Sequence, residues 1–215
     1  MPSLTRHEAR LRSELVQVTR MEVDLDLDQG GEHFLSRTRI TFTSAQPGAT
    51  TFLDVKPVEL RSLVLNGAAV DPTGLVDGRI TLEGLAADNV LEAEALMAYS
   101  RDGQGLHRAT DPADGADYVY GHLFLDAGPR VFACFDQPDL KAPYAVTVKA
   151  PTSWVVIGNG AASQLSPGHW TLAETKPLAT YFVTVCAGPY VSVRDEHDGI
   201  PLGIHARASL RDALE

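Results

Sequence analysis

Apolar and polar residues alternate along most of this sequence. In MEVDLDLD, residues 21–28, every second residue is apolar and the residues between them are acidic. That period of two is typical of a strand with one buried side and one side facing solvent. Gly30 and Gly31 predict a turn, and FLSRTRITFTS, residues 34–44, alternates again. The two segments are therefore predicted to form a hairpin, with the four acids of the first on its solvent face.

Short apolar runs of this kind recur to the end of the chain, and each ends at Gly, Pro, Asn or Asp, which favour turns. Asn66-Gly67 is the pair favoured at the centre of two-residue hairpin turns. Residues 118–135 (YVYGHLFLDAGPRVFACF) predict a strand, a bend and a second strand, and residues 100–117 form the longest turn-rich connection. The other predicted strands are TTFLDV, ELRSLVLNG, GRITLEG, NVLEAEALMAYS, AVTVKAP, WVVIGNG, HWTLAE, ATYFVTVCAG, VSVRDE and PLGIHAR.

One segment has the spacing of a helix. In residues 4–17, Leu4, Leu11 and Leu15 recur near helical spacing between good helix formers, which predicts an amphipathic helix. Strands and helices do not alternate elsewhere. The pattern therefore predicts an all-β fold, an antiparallel β-sandwich with one short N-terminal helix, formed by residues 1–215 as a single domain.

Composition limits the partners that can be expected. The chain has 215 residues, of which 44% are hydrophobic, and its formal net charge is −10. Because nucleic acids and anionic membranes are polyanions, we expect neither as a partner. No apolar run approaches the roughly 20 residues that span a bilayer, and MPSLTRHEARLRSEL lacks the apolar segment of a secretory signal. We therefore expect a soluble, cytoplasmic protein.

Common catalytic signatures do not occur in these residues. The sequence contains no His-Glu-x-x-His, no Gly-x-Ser-x-Gly and no Walker loop. None of the seven histidines is four residues from another, the spacing of a metal-binding pair on a helix. Cys134 and Cys186 lie in apolar runs without the spacing of a zinc site and are predicted to be buried free thiols. We expect no metal and no cofactor.

The strand around His122 is the strongest candidate for chemistry. Period two places Tyr118, Tyr120, His122 and Phe124 on one face. In an apolar pocket such a histidine would stay neutral and act as a base, because burial disfavours its charged form. Alternatively, the rings belong to the core and His122 is only hydrogen-bonded to a neighbouring strand, as buried polar groups usually are. We predict His122 as the acid/base, with Tyr118, Tyr120, Phe124 and Leu125 contacting the ligand.

Several stretches resemble a known family. YSRDGQGLHRATDP, YVYGHLF, RVFACFDQPDLKAPYAVTVKAP, ATYFVTVCAGPY and DEHDGIPLGIHARASL are similar to the N-terminal β-domain of the zinc aminopeptidase N family in its actinobacterial form. The resemblance extends from Leu4 to Leu210. It implies a saddle-like antiparallel β-domain, in which Cys134, Asp136 and Asp139 have structural roles.

The resemblance also implies which parts of the peptidase to expect elsewhere. Family members bind zinc through a His-Glu-x-x-His helix and a distal glutamate, and contact the substrate backbone through a Gly-x-Met-Glu-Asn loop. These belong to a following thermolysin-like domain, and the sequence to Glu215 contains neither. Since a peptidase of this family needs the metal to activate water, we expect no peptidase activity from these residues alone.

One family element lies within the chain but differs in sequence. In the family, a Gln-x-Glu element binds the free α-amino group of the substrate, and its matching positions here are His122 and Phe124. Replacing a carboxylate by a phenyl ring removes the ion pair with an ammonium group and presents an apolar surface. The Asp-Ala-Arg-Arg that follows in relatives is also changed, to Asp126-Ala-Gly-Pro-Arg130.

Three hypotheses for function follow. In the first, a stand-alone β-domain binds an apolar small molecule in the former amino-group pocket and transforms it by cyclisation, isomerisation or dehydration in secondary metabolism, with His122 transferring the proton. In the second, the domain only binds or modulates another protein. In the third, it is the excised N-terminal domain of a zinc aminopeptidase. A homodimer through the face that contacts the catalytic domain in the family is a further expectation.

Overall fold

The computed structural model describes residues 3–214. Within them the chain forms one α-helix, α1 (Arg6–Leu15), and otherwise strands and short 3₁₀ turns. The strands are β1 (Val16–Asp26), β2 (His33–Ser44), β3 (Thr51–Asp54), β4 (Glu59–Leu65), β5 (Ala68–Ala69), β6 (Arg79–Leu82), β7 (Asp88–Ala98), β8 (Gly105–Thr110), β9 (Asp117–His122), β10 (Tyr144–Lys149), β11 (Val155–Gly158), β12 (Ala162–Ser166), β13 (His169–Leu172), β14 (Val185–Gly188), β15 (Val191–His197) and β16 (Ile200–Ala206). The 3₁₀ segments are Pro72–Gly74, Gly128–Arg130, Thr180–Phe182 and Ala208–Leu214.

Two sheets and two separate ribbons make up the fold. The large sheet has eight strands in the order β12-β13-β10-β1-β2-β7-β4-β5, and the small sheet has four in the order β11-β14-β9-β8. The ribbons are β3–β6 and β15–β16. This confirms the all-β prediction with a short N-terminal helix. One pair departs from the antiparallel prediction, because β10 returns to the large sheet beside β1 and runs parallel to it.

The core lies between the two sheets. On β1 the apolar positions Met21, Val23 and Leu25 are buried, as the alternation predicted. The small sheet contributes Val119 from β9 and Ala187 from β14, which have no exposed surface. Buried residues of both sheets form one hydrophobic cluster.

The acids of β1 line the outer face of the large sheet and are paired across strands. Arg37 on β2 lies 3.3 Å from Asp24 and 2.8 Å from Glu94 on β7. Asp26 is the exception to the predicted solvent exposure, because it is buried and pairs with Lys149 at 3.1 Å. Burial disfavours the charge of Asp26, but hydrogen bonds from the Asp28 N–H and from Lys149 outweigh it and lower its pKa.

The helix buries a different face from the predicted one. Its start is fixed by a capping box, in which the Thr5 hydroxyl accepts from the Glu8 N–H and the Glu8 carboxylate accepts from the Thr5 N–H. Leu11, predicted on the apolar face, is 52% exposed, whereas Arg12 is buried. The prediction was therefore wrong for Leu11, whereas Leu15 is half-buried and packs against the core. Arg12 is buried because buried acceptors face it, as described below.

Several local predictions differ from the structure. Residues 130–135 do not form a strand, because Gly128-Pro129 begins a 3₁₀ turn and only Cys134 makes an isolated bridge, to Asp54. The connection 100–117 contains β8. The Asn66-Gly67 hairpin turn is confirmed, with φ of 53° and 81°.

Over residues 3–214, no helix has the length and hydropathy needed to cross a bilayer.

Candidate functional site

The predicted site residues lie on and just after β9, in the small sheet. Val119 points into the core, and Tyr120 points outward with 40% of its surface exposed. Directly opposite Tyr120 are His107 on β8 and Cys186 on β14. The rings of His107 and Tyr120 are 4.9 Å apart. The outer face of the small sheet therefore has a His–Tyr pair at its centre.

Tyr118 is buried, although it lies on the same side of β9 as Tyr120. Its ring packs on Tyr190 at 5.1 Å, and its hydroxyl accepts a 2.8 Å hydrogen bond from the Ala208 N–H. Gly188 allows this contact, since an added Cβ would lie 2.6 Å from the Tyr118 ring. Tyr118 thus holds the C-terminal segment against the sheet.

Gly103 connects two imidazole rings through its own backbone. Its N–H donates to Nδ1 of His107 at 3.0 Å, and its carbonyl oxygen is 3.3 Å from Nδ1 of His122. A carbonyl only accepts, so His122 carries its proton on Nδ1 in this contact, and Nε2 is left as the basic nitrogen when the ring is neutral. Gly103 has φ of +84°, a conformation that other residues rarely adopt.

Phe124 and Leu125 lie beyond the end of β9. The strand ends at His122, so the predicted common face does not extend to Phe124. Both residues are more than half exposed. The Phe124 ring packs edge-on against Tyr181 at 5.4 Å, and Tyr181 lies 4.4 Å from Phe182. We call Phe124, Leu125, Tyr181 and Phe182 the aromatic patch.

The five predicted residues therefore separate into three environments. Tyr118 is buried, Tyr120 and His122 lie exposed beside the Gly103 loop, and Phe124 and Leu125 belong to the aromatic patch. A cavity of about 480 Å³ opens on the outer face of the large sheet, and none of the five lines it. His122 is exposed at the end of β9, and Phe124 of the aromatic patch follows it two residues later in the chain.

Three residues of this surface were not predicted. His107 became a neighbour of Tyr120 through the β8–β9 hairpin, whose turn signals at residues 111–116 could have given the register. Tyr181 and Phe182 lie in a run predicted as one strand, but residues 180–182 form a 3₁₀ turn that points Phe182 to solvent. No local pattern distinguishes that turn from a strand.

The acids and thiols near the site have structural surroundings. Cys134 is buried and Cys186 half-buried, and burial raises the pKa of both thiols. Burial, together with Asp54 and Asp126, raises the pKa of Asp136 to about 7. Within residues 3–214, no group of three or more His, Cys, Asp and Glu side chains is arranged to hold a metal ion.

Comparison with known proteins shows which proteins this chain is similar to. Aminopeptidase N of Streptomyces lividans is 40% identical to it over 221 residues, which cover 99% of this chain and 26% of that protein. This chain is an aminopeptidase N-like domain. "Probable M1 family aminopeptidase 1" of Encephalitozoon cuniculi is 26% identical over 205 residues, covering 85% of the chain and 23% of that protein. Aminopeptidase N of Acetobacter pasteurianus is 30% identical over 91 residues, 40% of the chain and 26% of that protein.

The aminopeptidase N-like domain spans about a quarter of the length of these curated relatives. No protein-family model matches it. The likeness to the Streptomyces protein covers 99% of this chain and therefore includes the strands of both sheets and the segment from Tyr120 to Leu125.

Proposed function

We propose that the aminopeptidase N-like domain binds an apolar small molecule at the aromatic patch and has no peptidase activity of its own. The observation that carries the proposal is the exposure of Phe124, Leu125 and Phe182, of which Phe124 and Leu125 follow closely after His122 in the chain. Exposing three large apolar side chains to water at one place is unfavourable in free energy unless another molecule covers them. The resemblance matches His122 and Phe124 to the family's Gln-x-Glu positions, whose glutamate binds an ammonium group, so the proposed ligand differs in charge from a peptide N-terminus.

His122 is the proton-transfer group in this proposal. The Gly103 carbonyl fixes the proton on Nδ1, which leaves Nε2 available to accept a proton from a ligand on the neighbouring patch. Ring closure, isomerisation and dehydration all need one such group and a surface that orients the substrate.

The first test is binding of an apolar probe, indole, to the 215-residue chain, followed by aromatic ¹H–¹³C NMR. We expect shift changes at Phe124, Tyr181 and Phe182, and at least fivefold weaker binding in Phe124→Ser. Leu165→Ser is the matched control, because Leu165 is 69% exposed on β12. His122→Ala should leave the affinity within twofold. Shift changes confined to another surface would contradict the proposal.

A second candidate is that the chain is the first domain of a longer zinc aminopeptidase, with the patch covered by another part of that protein. The identity of 40% over 99% of the chain favours it. An immunoblot of the source cells separates the two. A band near the 23.1 kDa of this chain supports the first proposal, whereas a band about four times as large, as expected from the 26% coverage, supports the second.

A purely non-catalytic interaction domain remains the third candidate. In this candidate the same exposed aromatic patch serves as the interaction surface, and no proton transfer is required. Once a substrate that the chain converts has been identified, His122→Ala distinguishes this candidate from the catalytic one. Loss of turnover with retained binding is expected only when His122 transfers a proton.

A further inference from the structure

A groove of about 440 Å³ separates β11 and the loop that follows it from the β15–β16 hairpin. It includes no residue of the aromatic patch, and neither Tyr120 nor His122 lines it. Its volume lies in the range of ligand-binding clefts. We call it the edge groove.

Two unpaired strand edges border the edge groove. Within residues 3–214, β11 is the outermost strand of the small sheet and pairs only with β14, and β16 pairs only with β15. The groove touches every residue of Val155–Gly158, whereas the face of a strand would contribute every second residue. On β16 it likewise touches the consecutive residues Pro201, Leu202 and Gly203. The groove therefore runs along strand edges, where backbone groups lack a strand partner.

Burial indicates which backbone groups of β11 face the groove. Val156 is 1% exposed and lies opposite Ala187 of β14, whereas Val155 and Ile157 are half-buried. Successive residues of an edge strand direct their N–H and C=O groups alternately toward the partner strand and away from it. The groups that face the groove are therefore those of Val155 and Ile157.

The loop after β11 is held in place by hydrogen bonds. The Asn159 amide donates to the Phe182 carbonyl at 2.8 Å and accepts from the Thr184 N–H at 2.8 Å. The Ala173 N–H donates to the Ala161 carbonyl at 2.9 Å. This wall of the groove is fixed before a ligand binds, which lowers the entropic cost of binding.

The hairpin wall of the groove carries an unpaired cation. Arg194 lines the groove, and its guanidinium forms no ion pair or hydrogen bond within residues 3–214. Arg194 lies opposite Gly203, and His205 is on the same side of the hairpin. Nδ1 of His205 is 2.7 Å from the Ser192 hydroxyl, so Nε2 is the ring nitrogen left for a ligand. Glu196 follows Arg194 on that side but does not line the groove.

We propose that the edge groove binds an extended peptide that carries a carboxylate. The main chain of the peptide pairs with the free edge of β11, as in the addition of a strand to a sheet. The carboxylate binds Arg194, because a guanidinium presents two parallel N–H donors that match the two oxygens of a carboxylate. Since main-chain pairing does not depend on side chains, the carboxylate sets the preference for one peptide over another.

The charge of the chain sets the strength of binding. A net charge of −10 opposes the approach of a further negative charge. Arg194 is exposed, so salt screens its attraction for the carboxylate. We therefore expect a Kd on the order of 0.1–1 mM at low ionic strength, and weaker binding as the ionic strength rises.

Titration of the ¹⁵N-labelled 215-residue chain with the peptide acetyl-Thr-Val-Thr-Val-Thr tests the proposal by NMR. We expect shift changes at Val155, Ile157 and Gly203, and at least fivefold tighter binding of the free acid than of the C-terminal amide. A third peptide, an amide with glutamate as its last residue, identifies the carboxylate. Binding as tight as that of the free acid assigns a side-chain carboxylate, and binding as weak as that of the amide assigns the C-terminus.

Arg194→Gln tests the role of the cation. It should weaken binding of the free acid at least fivefold, to the level of the amide, and leave the Kd of the amide within twofold. Arg211→Gln is the matched control, because Arg211 is an exposed arginine of the Ala208–Leu214 segment and does not line the groove. Its Kd values should equal those of the unmodified chain.

Hydrogen exchange tests the pairing with β11. With the peptide at ten times its Kd, exchange of the Val155 and Ile157 amides should slow about tenfold, whereas that of Val156 should not change. Binding that leaves both amides unprotected overturns the pairing. Equal affinity for free acid and amide in the unmodified chain overturns the proposal, as does a lack of shift changes around the groove at about 5 mM peptide, above the expected Kd. The edge groove and the aromatic patch share no residue, so these results are independent of ligand binding at the patch.

Discussion

The backbone of Gly103, rather than a side chain, sets the tautomer of His122, the candidate acid/base. Gly103 accepts from one imidazole with its carbonyl and donates to another with its N–H. His107 is therefore a positioning residue, because it holds the loop whose carbonyl orients His122. The His107 ring also packs against the Tyr120 ring, and this contact fixes the orientation of the His107 imidazole.

Removing His107 should change the tautomer of His122. In the unmodified chain at pH 8, two-bond ¹⁵N–¹H spectra should show the His122 proton on Nδ1. In His107→Ala the Gly103 N–H loses its acceptor, and we expect a mixture of both tautomers at His122. His169→Ala, on β13 of the other sheet, is the control and should leave the His122 signals unchanged. Finding the proton on Nε2 in the unmodified chain would disprove the contact.

At the scale of elements, the N-terminal helix is attached by one buried arginine. Arg12 donates to Asp54 Oδ2 at 2.8 Å, to Gln137 Oε1 at 3.0 Å and to the Asp136 carbonyl at 3.3 Å. Its guanidinium lies 4.4 Å from the centre of the Phe52 ring. These contacts join α1, β3 and the segment after Cys134 into one unit.

Arg12→Ala should lower the free energy of unfolding by about 3 kcal/mol, because it leaves Asp54 buried without its closest cation. Arg10→Ala on the same helix is the control. Arg10 is exposed and pairs with the exposed Glu14 one turn further along the helix, so its loss should have little effect. Urea denaturation of both variants measures the difference, and equal stability of the two would contradict the role assigned to Arg12.

At the scale of the whole molecule, Asp136 couples stability to pH. Its carboxyl group faces Asp54 and Lys56 from the β3 ribbon, Asp126 and Gly128 from the turn after β9, Arg12 from α1, and Cys134 and Tyr144. The pKa of about 7 lies above the ordinary 3.8 of an aspartate. The folded state therefore holds the Asp136 proton more tightly than the unfolded state does.

The stability from this proton is complete below about pH 4 and is lost as the pH rises through about 7. Asp136→Asn, which imitates the protonated form, should therefore be more stable than the unmodified chain at pH 8 by roughly 2–4 kcal/mol, and equal to it near pH 4. Thermal melts at both pH values measure the difference. Asp139→Asn, exposed in the same turn, is the control. A constant difference at all pH values would contradict the assignment.

The local pattern predicted the strands of the large sheet, but neither its parallel β1–β10 pair nor the arrangement of the site. Alternation in β1 predicted that Met21, Val23 and Leu25 are buried, because that choice depends only on neighbours two residues away, whereas the polar Ser36 on β2 is buried against expectation. The burial of Arg12 could not be predicted in this way, since its acceptors Asp54 and Gln137 are 42 and 125 residues distant. Phe124 was placed on the wrong face because the end of β9 is set by the following turn.

The parallel β1–β10 pair has a consequence during synthesis. Met21 on β1 pairs with Tyr144 on β10, which the ribosome adds about 120 residues later, roughly 6 to 25 s at about 5–20 residues per second. Until then one side of β1 is an unpaired strand edge, open to pairing with other nascent chains. The interval before β10 is inserted is therefore when this protein is most exposed to aggregation, and a chaperone that covers β1 would act there.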